Sequence, residues 1–242
     1  MTDKILEVKK ASKRFGGLMA NEDISFNVER GKILGVVGPN GAGKTTLFNS
    51  ISGAHTLSSG SIIFEGKDIT RLKANKICKL GIGRTFQIPQ SLDEMTVMEN
   101  VLVGTLCRYP DIVDARAQVS GIIELCGLTR YAEEPVGNMN VIQKKRVEIA
   151  RALSTEPKLL LLDETMAGLT NAERKEAVEL IRTIHAQGIT ILTIEHVMDV
   201  VMTVSDRVVI IHAGKLLVEG TPEEVTTNED VINAYFGGGT NA

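Results

Sequence analysis

Apolar residues recur along the chain in short runs, and polar residues or glycines bound each run. Residues 4–10 and 24–28 alternate apolar with polar positions, which predicts half-exposed antiparallel strands. Residues 32–37, 158–164 and 189–196 are rich in aliphatic side chains, which is typical of strands buried in a parallel sheet. The pattern therefore predicts an α/β protein with both kinds of strand.

Helical periodicity replaces the strand pattern over residues 88–155, where Val97, Val101 and Leu102 share one face. We interpret this stretch as a helical subdomain inserted between core strands. The tail from Pro222 to Phe236 is also predicted to be helical.

Residues 38–46 match G-x-x-x-x-G-K-[ST], the phosphate-binding loop, and lie between a predicted strand and a predicted helix. Glycines let backbone N–H groups approach a phosphate, and the helix N-terminus adds donors and a positive dipole end. Lys44 would reach the β- and γ-phosphates, and the Thr45 hydroxyl would ligate Mg²⁺. The predicted nucleotide-binding residues of the loop are Gly38, Pro39, Asn40, Gly41, Ala42, Gly43, Lys44, Thr45 and Thr46.

Polar residues also lie at the C-terminal ends of other predicted strands, namely Gln87, the pair Asp163 and Glu164, and His196. In open α/β sheets, ligands bind beyond the carboxyl ends of the strands. We therefore expect these residues to form one site with the phosphate loop.

The predicted chemistry is phosphoryl transfer to water, in which positioning and electrostatics carry most of the catalysis. Asp163 would bind Mg²⁺ directly or through water, together with Thr45. Glu164 would orient and deprotonate the attacking water. Gln87 would contact the same metal and water, and His196 would contact the γ-phosphate or the water. The predicted catalytic residues are thus Glu164, His196, Gln87 and Lys44, and the predicted metal ligands are Thr45, Gln87 and Asp163.

Composition limits the class of protein further. The chain has 242 residues with 43% apolar and 24% charged content, enough for a substantial core. Its net charge of −3 argues against a general nucleic-acid binder. We expect a cytoplasmic protein, because no apolar run approaches the roughly 20 residues that span a bilayer. Cys78, Cys107 and Cys126 match neither a zinc site nor a disulfide framework, and we expect reduced thiols.

Taken together, these motifs resemble the ATP-binding subunits of ABC transporters, and the similarity runs through nearly the whole chain. The resemblance implies the following roles: Phe15 as the aromatic that stacks on the base, residues 38–46 as Walker A, Gln87 as the Q-loop, residues 159–164 as Walker B with the catalytic glutamate, and His196 as the switch histidine. From its position alone, Phe15 is equally well interpreted as a core aromatic.

Particular segments resemble the branched-chain amino-acid importer branch of that family; they are residues 13–17, 83–87, 95–100, 167–169 and 231–237. The resemblance implies a single ABC ATPase domain over residues 1–242, with ATP and Mg²⁺ as ligands. A P-loop NTPase (RecA-like) core with an antiparallel β subdomain would occupy residues 1–87 and 156–220. The inserted α-helical subdomain would occupy residues 88–155, and a C-terminal helical tail residues 221–242.

The resemblance also implies partners. Such proteins work as paired ATPases beneath membrane permeases, contacted here near Gln87 and the helical subdomain, while an external binding protein delivers the solute. The chain would therefore be peripheral on the inner face of the cell membrane.

One segment departs from the family pattern: residues 139–143 are Met-Asn-Val-Ile-Gln where the family has Leu-Ser-Gly-Gly-Gln. In the family this segment grips the γ-phosphate bound by the opposite subunit, and Val141 and Ile142 carry β-branched side chains there. Thr165 and Thr170 also depart, replacing a proline and a carboxylate. We hypothesise an asymmetric pair, with a heterodimer favoured over a homodimer, in which a partner supplies the better signature.

Alternative functions remain open at this point. The altered signature is compatible with a nucleotide-gated regulatory module with weak turnover, and urea, amide or lipid-type transport are runners-up. An ABC ATPase of the ribosome or DNA is disfavoured because the chain has no room for a second cassette. A GTPase is disfavoured because residues 75–78 lack the aspartate that reads guanine. The basic residues 144–146 are interpreted as a solvated helix face.

Overall fold

The computed structural model describes residues 3–195 and 198–236. The strands in that part are, in chain order, β1 (Lys4–Phe15), β2 (Leu18–Glu29), β3 (Ile33–Val37), β4 (Ser59–Phe64), β5 (Lys67–Asp68), β6 (Ile82–Arg84), β7 (Leu159–Asp163), β8 (Thr190–Ile194), β9 (Arg207–His212) and β10 (Lys215–Gly220). The α-helices are α1 (Lys44–Ile51), α2 (Ala74–Leu80), α3 (Val97–Thr105), α4 (Ile112–Leu125), α5 (Val141–Leu153), α6 (Asn171–Ala186), α7 (Met198–Val204), α8 (Pro222–Thr226) and α9 (Glu229–Phe236). The predicted α/β class is confirmed.

The chain forms two compact units, of which the first comprises Met1–Ala74 and Thr190–Ala242. One sheet of this unit is antiparallel, with the strand order β2-β1-β4-β5. The remaining four strands of this unit also pair with one another. β3 is parallel to β8 on one side and to β9 on the other, and β10 is antiparallel to β9. The predicted combination of antiparallel and parallel strands is therefore present.

The burial of β3 fits its position between two parallel strands, β8 and β9. All five of its residues are buried, as expected of a parallel strand covered on both faces. Helix α7 packs directly on it, since a side chain at Gly35 would lie 2.3 Å from Val201 Cγ1. Leu47 and Phe48 of α1 are also fully buried. A fully buried strand thus leads into the predicted phosphate loop.

The predicted antiparallel strands extend beyond the alternating stretches that predicted them. β1 runs to Phe15 and pairs with Leu18, the first residue of β2, across a tight turn. Ile5, Leu6 and Val8 are buried, whereas neighbouring lysines are exposed, so this is the predicted half-exposed type of strand.

The second unit, Asn75–Ile189, contains the parallel pair β6 and β7 and the helices α3 to α6. The leucines of β7 are completely buried. Residues 88–155 contain α3, α4 and α5 with 3₁₀ helices at Thr129–Tyr131 and Val136–Asn138, and Val97 and Val101 are buried as one face predicts. The exact subdomain bounds stay a prediction.

Some elements were not predicted. α2 and α7 are seven-residue helices with little apolar periodicity, and the predicted tail helix is divided into α8 and α9. The three cysteines are free thiols, as expected. In the part of the chain that the structure describes, no helix is long and apolar enough to cross a membrane.

Candidate functional site

The predicted phosphate loop connects β3 to α1 in the first unit. Gly41 and Gly43 have φ angles of 78° and 99°, in the left-handed region that glycine adopts without a Cβ clash. Gly43 is the N-cap of α1 and provides no side-chain cap. The N-terminus of α1 therefore follows directly from a glycine turn, as in a phosphate-binding loop.

Close packing fixes the path of this loop. A Cβ at Gly38 would lie 2.2 Å from the carbonyl oxygen of Ile211, and one at Gly43 would lie 2.3 Å from that of Ala20. Asn21 Nδ2 donates a 3.0 Å hydrogen bond to the Gly43 carbonyl oxygen. Glycine is thus required at both ends of the loop for steric reasons as well as for chemistry.

The Lys44 side chain folds back over the same loop. It is 5% exposed, and its Nζ donates to the carbonyl oxygens of Gly38 at 2.7 Å and Pro39 at 3.0 Å. Thr45 lies half-buried in the first turn of α1, and Asn40 is exposed. The arrangement places a cation and a helix N-terminus at one loop, which suits an anion.

Phe15 ends β1, with its ring 42% exposed. The ring meets the His55 ring edge-on at a centroid distance of 5.3 Å, and Lys13 Nζ lies 4.8 Å from its centroid. A surface ring of this kind can stack on a purine base. That role stays a prediction.

Gln87 and Glu164 meet in the second unit. The parallel strands β6 and β7 end at the same edge, with Arg84 level with Leu161, and the two residues follow those ends. Gln87 Nε2 donates to Glu164 Oε2 at 2.7 Å. Glu164 is 8% exposed and has a left-handed φ of 49°. The expected convergence of polar groups is therefore present for this pair.

Asp163 is the last residue of β7, and its side chain is completely buried. Arg84 Nη2 lies 3.4 Å from Asp163 Oδ2, and the Arg84 guanidinium also lies 4.7 Å from the Phe86 ring centroid. Burial lowers the pKa of Arg84, and the Asp163 carboxylate opposes that shift. Sequence reasoning missed Arg84, although a charge at the end of a buried strand is a signal for a buried partner.

The altered signature segment begins α5. Asn140 is its N-cap: Asn140 Oδ1 accepts from Gln143 N–H at 2.9 Å, and Gln143 Oε1 accepts from Asn140 N–H at 2.9 Å. This capping box stabilises the helix start. Val141 is 63% exposed. The departure from the family pattern therefore gives a well-formed helix N-terminus with an apolar side chain on its surface.

The interpretation of residues 144–146 as a solvated face is wrong for Lys145. This residue is 9% exposed, and its Nζ donates to the carbonyl oxygens of Ala167 at 2.7 Å and Glu164 at 3.3 Å. Lys144 and Arg146 do face outward and pair with Asp93 and Glu176. Helical spacing could have indicated the burial of Lys145. Adjacent residues of a helix point to different sides, so three consecutive basic residues do not share one solvated face.

His196 lies outside the described residues. The residue before it, Glu195, follows β8 and is 1% exposed. The role of His196 therefore stays a prediction.

Comparison with known proteins identifies the class. The family model described as ABC transporter matches residues 21–167, and the model described as branched-chain amino acid ATP-binding cassette transporter matches residues 215–240. The chain belongs to the ABC transporter family, as an ATP-binding cassette. The resemblance seen in the motifs is thereby confirmed.

Two curated relatives are similar over almost their full length. The chain is 38% identical to the high-affinity branched-chain amino acid transport ATP-binding protein BraF of Pseudomonas aeruginosa, covering 98% of this chain and 99% of that protein. It is 36% identical to LivG of Escherichia coli K12, with the same coverage of 98% and 99%.

Solved structures show the same fold. The ADP conformation of MJ1267, an ATP-binding cassette of an ABC transporter, has a TM-score of 0.88 at 33% identity and covers 98% of this chain and 100% of that one. A nucleotide-free ATP-binding cassette has a TM-score of 0.87 at 32% identity and covers 96% and 98%. The predicted ABC ATPase fold is confirmed.

Proposed function

We propose that the chain binds and hydrolyses ATP to energise an ABC importer for branched-chain amino acids or a similar small polar solute. The observation that carries hydrolysis is the buried Glu164, held at 2.7 Å by Gln87 directly after the Walker B aspartate. A module that only binds nucleotide needs no such base. The solute is supported by the names of the relatives and by the match of residues 215–240.

Each group has a separate task in this proposal. The phosphate loop and Lys44 bind the β- and γ-phosphates, and Phe15 stacks on the base. Glu164 accepts a proton from the attacking water, while Gln87 orients both. His196 contacts the γ-phosphate or that water.

The donor set suits Mg²⁺. The Thr45 hydroxyl, the Gln87 amide oxygen and the Asp163 carboxylate are hard oxygen donors of the kind that Mg²⁺ prefers. Because Gln87 uses its Nε2 toward Glu164, its oxygen is the atom offered to a cation. Bound Mg²⁺ would supply charge neutralisation for the phosphates.

The partners follow from the same proposal. The chain pairs with a second ATPase subunit and contacts permease subunits near Gln87 and the helical subdomain, on the inner face of the cell membrane. An external solute-binding protein acts indirectly. A heterodimer is favoured because Asn140, Val141 and Ile142 replace the family's Ser-Gly-Gly.

The test compares Mg²⁺-dependent ATP hydrolysis and direct ATP binding of the wild type and Glu164→Gln. Loss of turnover with retained ATP binding supports hydrolysis. A regulatory module, which the altered signature favours as the second candidate, would show slow turnover that the substitution leaves unchanged.

The asymmetric pair has its own test. Turnover of the isolated chain is compared with that of a mixed pair containing a cassette with an intact signature. The mixed pair should be faster. Equal rates would contradict the asymmetry and leave a homodimer as the better description.

A further inference from the structure

We propose that Lys145 is a positioning residue for hydrolysis. Its buried ammonium group holds the backbone turn from Glu164 to Ala167 and thereby fixes the direction of the Glu164 carboxylate. This inference rests on the proposed function of Glu164 as the base.

The backbone conformation of Glu164 is unusual for a buried residue. Among the described residues, the non-glycine residues with positive φ are Lys10, Asp23, Glu65, Glu156, Glu164 and Ala213. The others are exposed, whereas Glu164 is 8% exposed. A left-handed residue of this kind persists only where its surroundings over-determine it, and such residues cluster at functional sites. Some contact must therefore stabilise the backbone of Glu164.

Lys145 provides that contact. Its Nζ donates to the carbonyl oxygens of Ala167 at 2.7 Å and Glu164 at 3.3 Å, while Ala167 N–H donates to the Glu164 carbonyl oxygen at 3.4 Å. An ammonium group carries three donors, so one side chain can hold both carbonyls. Hydrogen bonds from a charged donor are stronger than neutral ones, and burial at 9% exposure protects them from water.

The same helix also holds the loop of Gln87. Glu148 Oε1 accepts from Gln90 N–H at 3.3 Å, and Arg151 Nη2 donates to the Gln90 carbonyl oxygen at 2.6 Å. Helix α5 therefore forms hydrogen bonds with two segments, the one after Gln87 and the one that begins at Glu164. The side chains of Gln87 and Glu164 are joined by the 2.7 Å hydrogen bond. Lys145 is on α5 and contacts the segment that carries the proposed base, Glu164.

The test replaces Lys145 by Met, which keeps the aliphatic stem and removes the donors. Lys144→Met is the matched control, because Lys144 is the neighbouring lysine and forms a surface ion pair with Asp93 at 3.2 Å. For Lys145→Met we expect kcat to fall by about 10- to 100-fold with ATP affinity little changed, since small misplacements of catalytic groups cost that much. Lys145→Arg should restore most of the activity, and Lys144→Met should leave it unchanged.

A double-mutant cycle separates positioning from a general structural role. If Lys145 acts through Glu164, then Lys145→Met should add little to the loss caused by Glu164→Gln. Losses that multiply, or an ATP affinity that falls as much as kcat, would overturn the inference.

Amide hydrogen exchange of residues 164–168 provides a readout that needs no turnover. Exchange there should be faster in Lys145→Met and unchanged in Lys144→Met. If the wild type lacks turnover sensitive to Glu164→Gln, the proposed function fails, but exchange still decides whether Lys145 holds the turn. A folded Lys145→Met protein with unchanged exchange would overturn the inference.

Discussion

Glu148 gives a sharp test of the packing beneath the Q-loop. It lies on α5, is 4% exposed, and accepts from Gln90 N–H at 3.3 Å. Burial raises the pKa of Glu148 from 4.5 to about 7, against the opposing effect of backbone hydrogen bonds from Gln90 and Phe86. The folded protein therefore holds this proton more tightly than the unfolded chain does.

The direction of the pH dependence follows from linkage. Between pH 4.5 and 7 the folded state is protonated at Glu148 while the unfolded state is ionised, so this group lowers the free energy of unfolding as pH rises. The difference between the pKa of Glu148 in the unfolded chain and in the folded protein lowers the free energy of unfolding by about 3 kcal/mol, since one pKa unit corresponds to about 1.4 kcal/mol. Above pH 7 the contribution stays constant.

Glu148→Gln removes the ionisation and keeps a carbonyl oxygen as acceptor. We expect the variant and the wild type to be similar in stability near pH 5, and the variant to be more stable by about 3 kcal/mol at pH 8. Urea unfolding followed by circular dichroism at several pH values measures this difference, in which all other titrating groups cancel. A difference that does not change with pH would refute the reasoning.

Two further substitutions test the site. Gly38→Ala places a Cβ 2.2 Å from a β9 carbonyl oxygen, so ATP affinity should fall at least tenfold, at a cost in stability of about 1–3 kcal/mol. Calorimetric titration with ATP measures the affinity, and Gly17→Ala, with nothing within 4 Å, is the control. Arg84→Met removes the cation that lies 3.4 Å from the buried Asp163 carboxylate, and about 3 kcal/mol of unfolding free energy should be lost. Urea unfolding at pH 7 measures this loss.

Each of these two experiments has an outcome that would contradict the expectation. Unchanged ATP binding by Gly38→Ala would mean that the loop tolerates displacement. Wild-type stability of Arg84→Met would mean that Arg84 does not compensate the Asp163 charge.

The strand–loop–helix around Lys44 was predictable because the glycine spacing and the apolar run before it are local signals. The meeting of Gln87 with Glu164 was predictable from topology, since neighbouring parallel strands end at one edge.

Other features depend on packing that a single sequence does not encode visibly. Lys145 lies in a basic run, and only the turn after β7 shows that one member is buried. Arg84 acquires its partner from a residue 79 positions away. Short helices such as α7 carry too few turns for periodicity to reveal them.

The most direct test of the central claim is phosphate release in a single turnover with Mg²⁺ and ATP, for the wild type and Glu164→Gln at matched ATP occupancy. If Glu164 is the base, both proteins should bind ATP with similar affinity, and only the wild type should release phosphate at a catalytic rate. Equal release by the two proteins would contradict the role of Glu164 as the base.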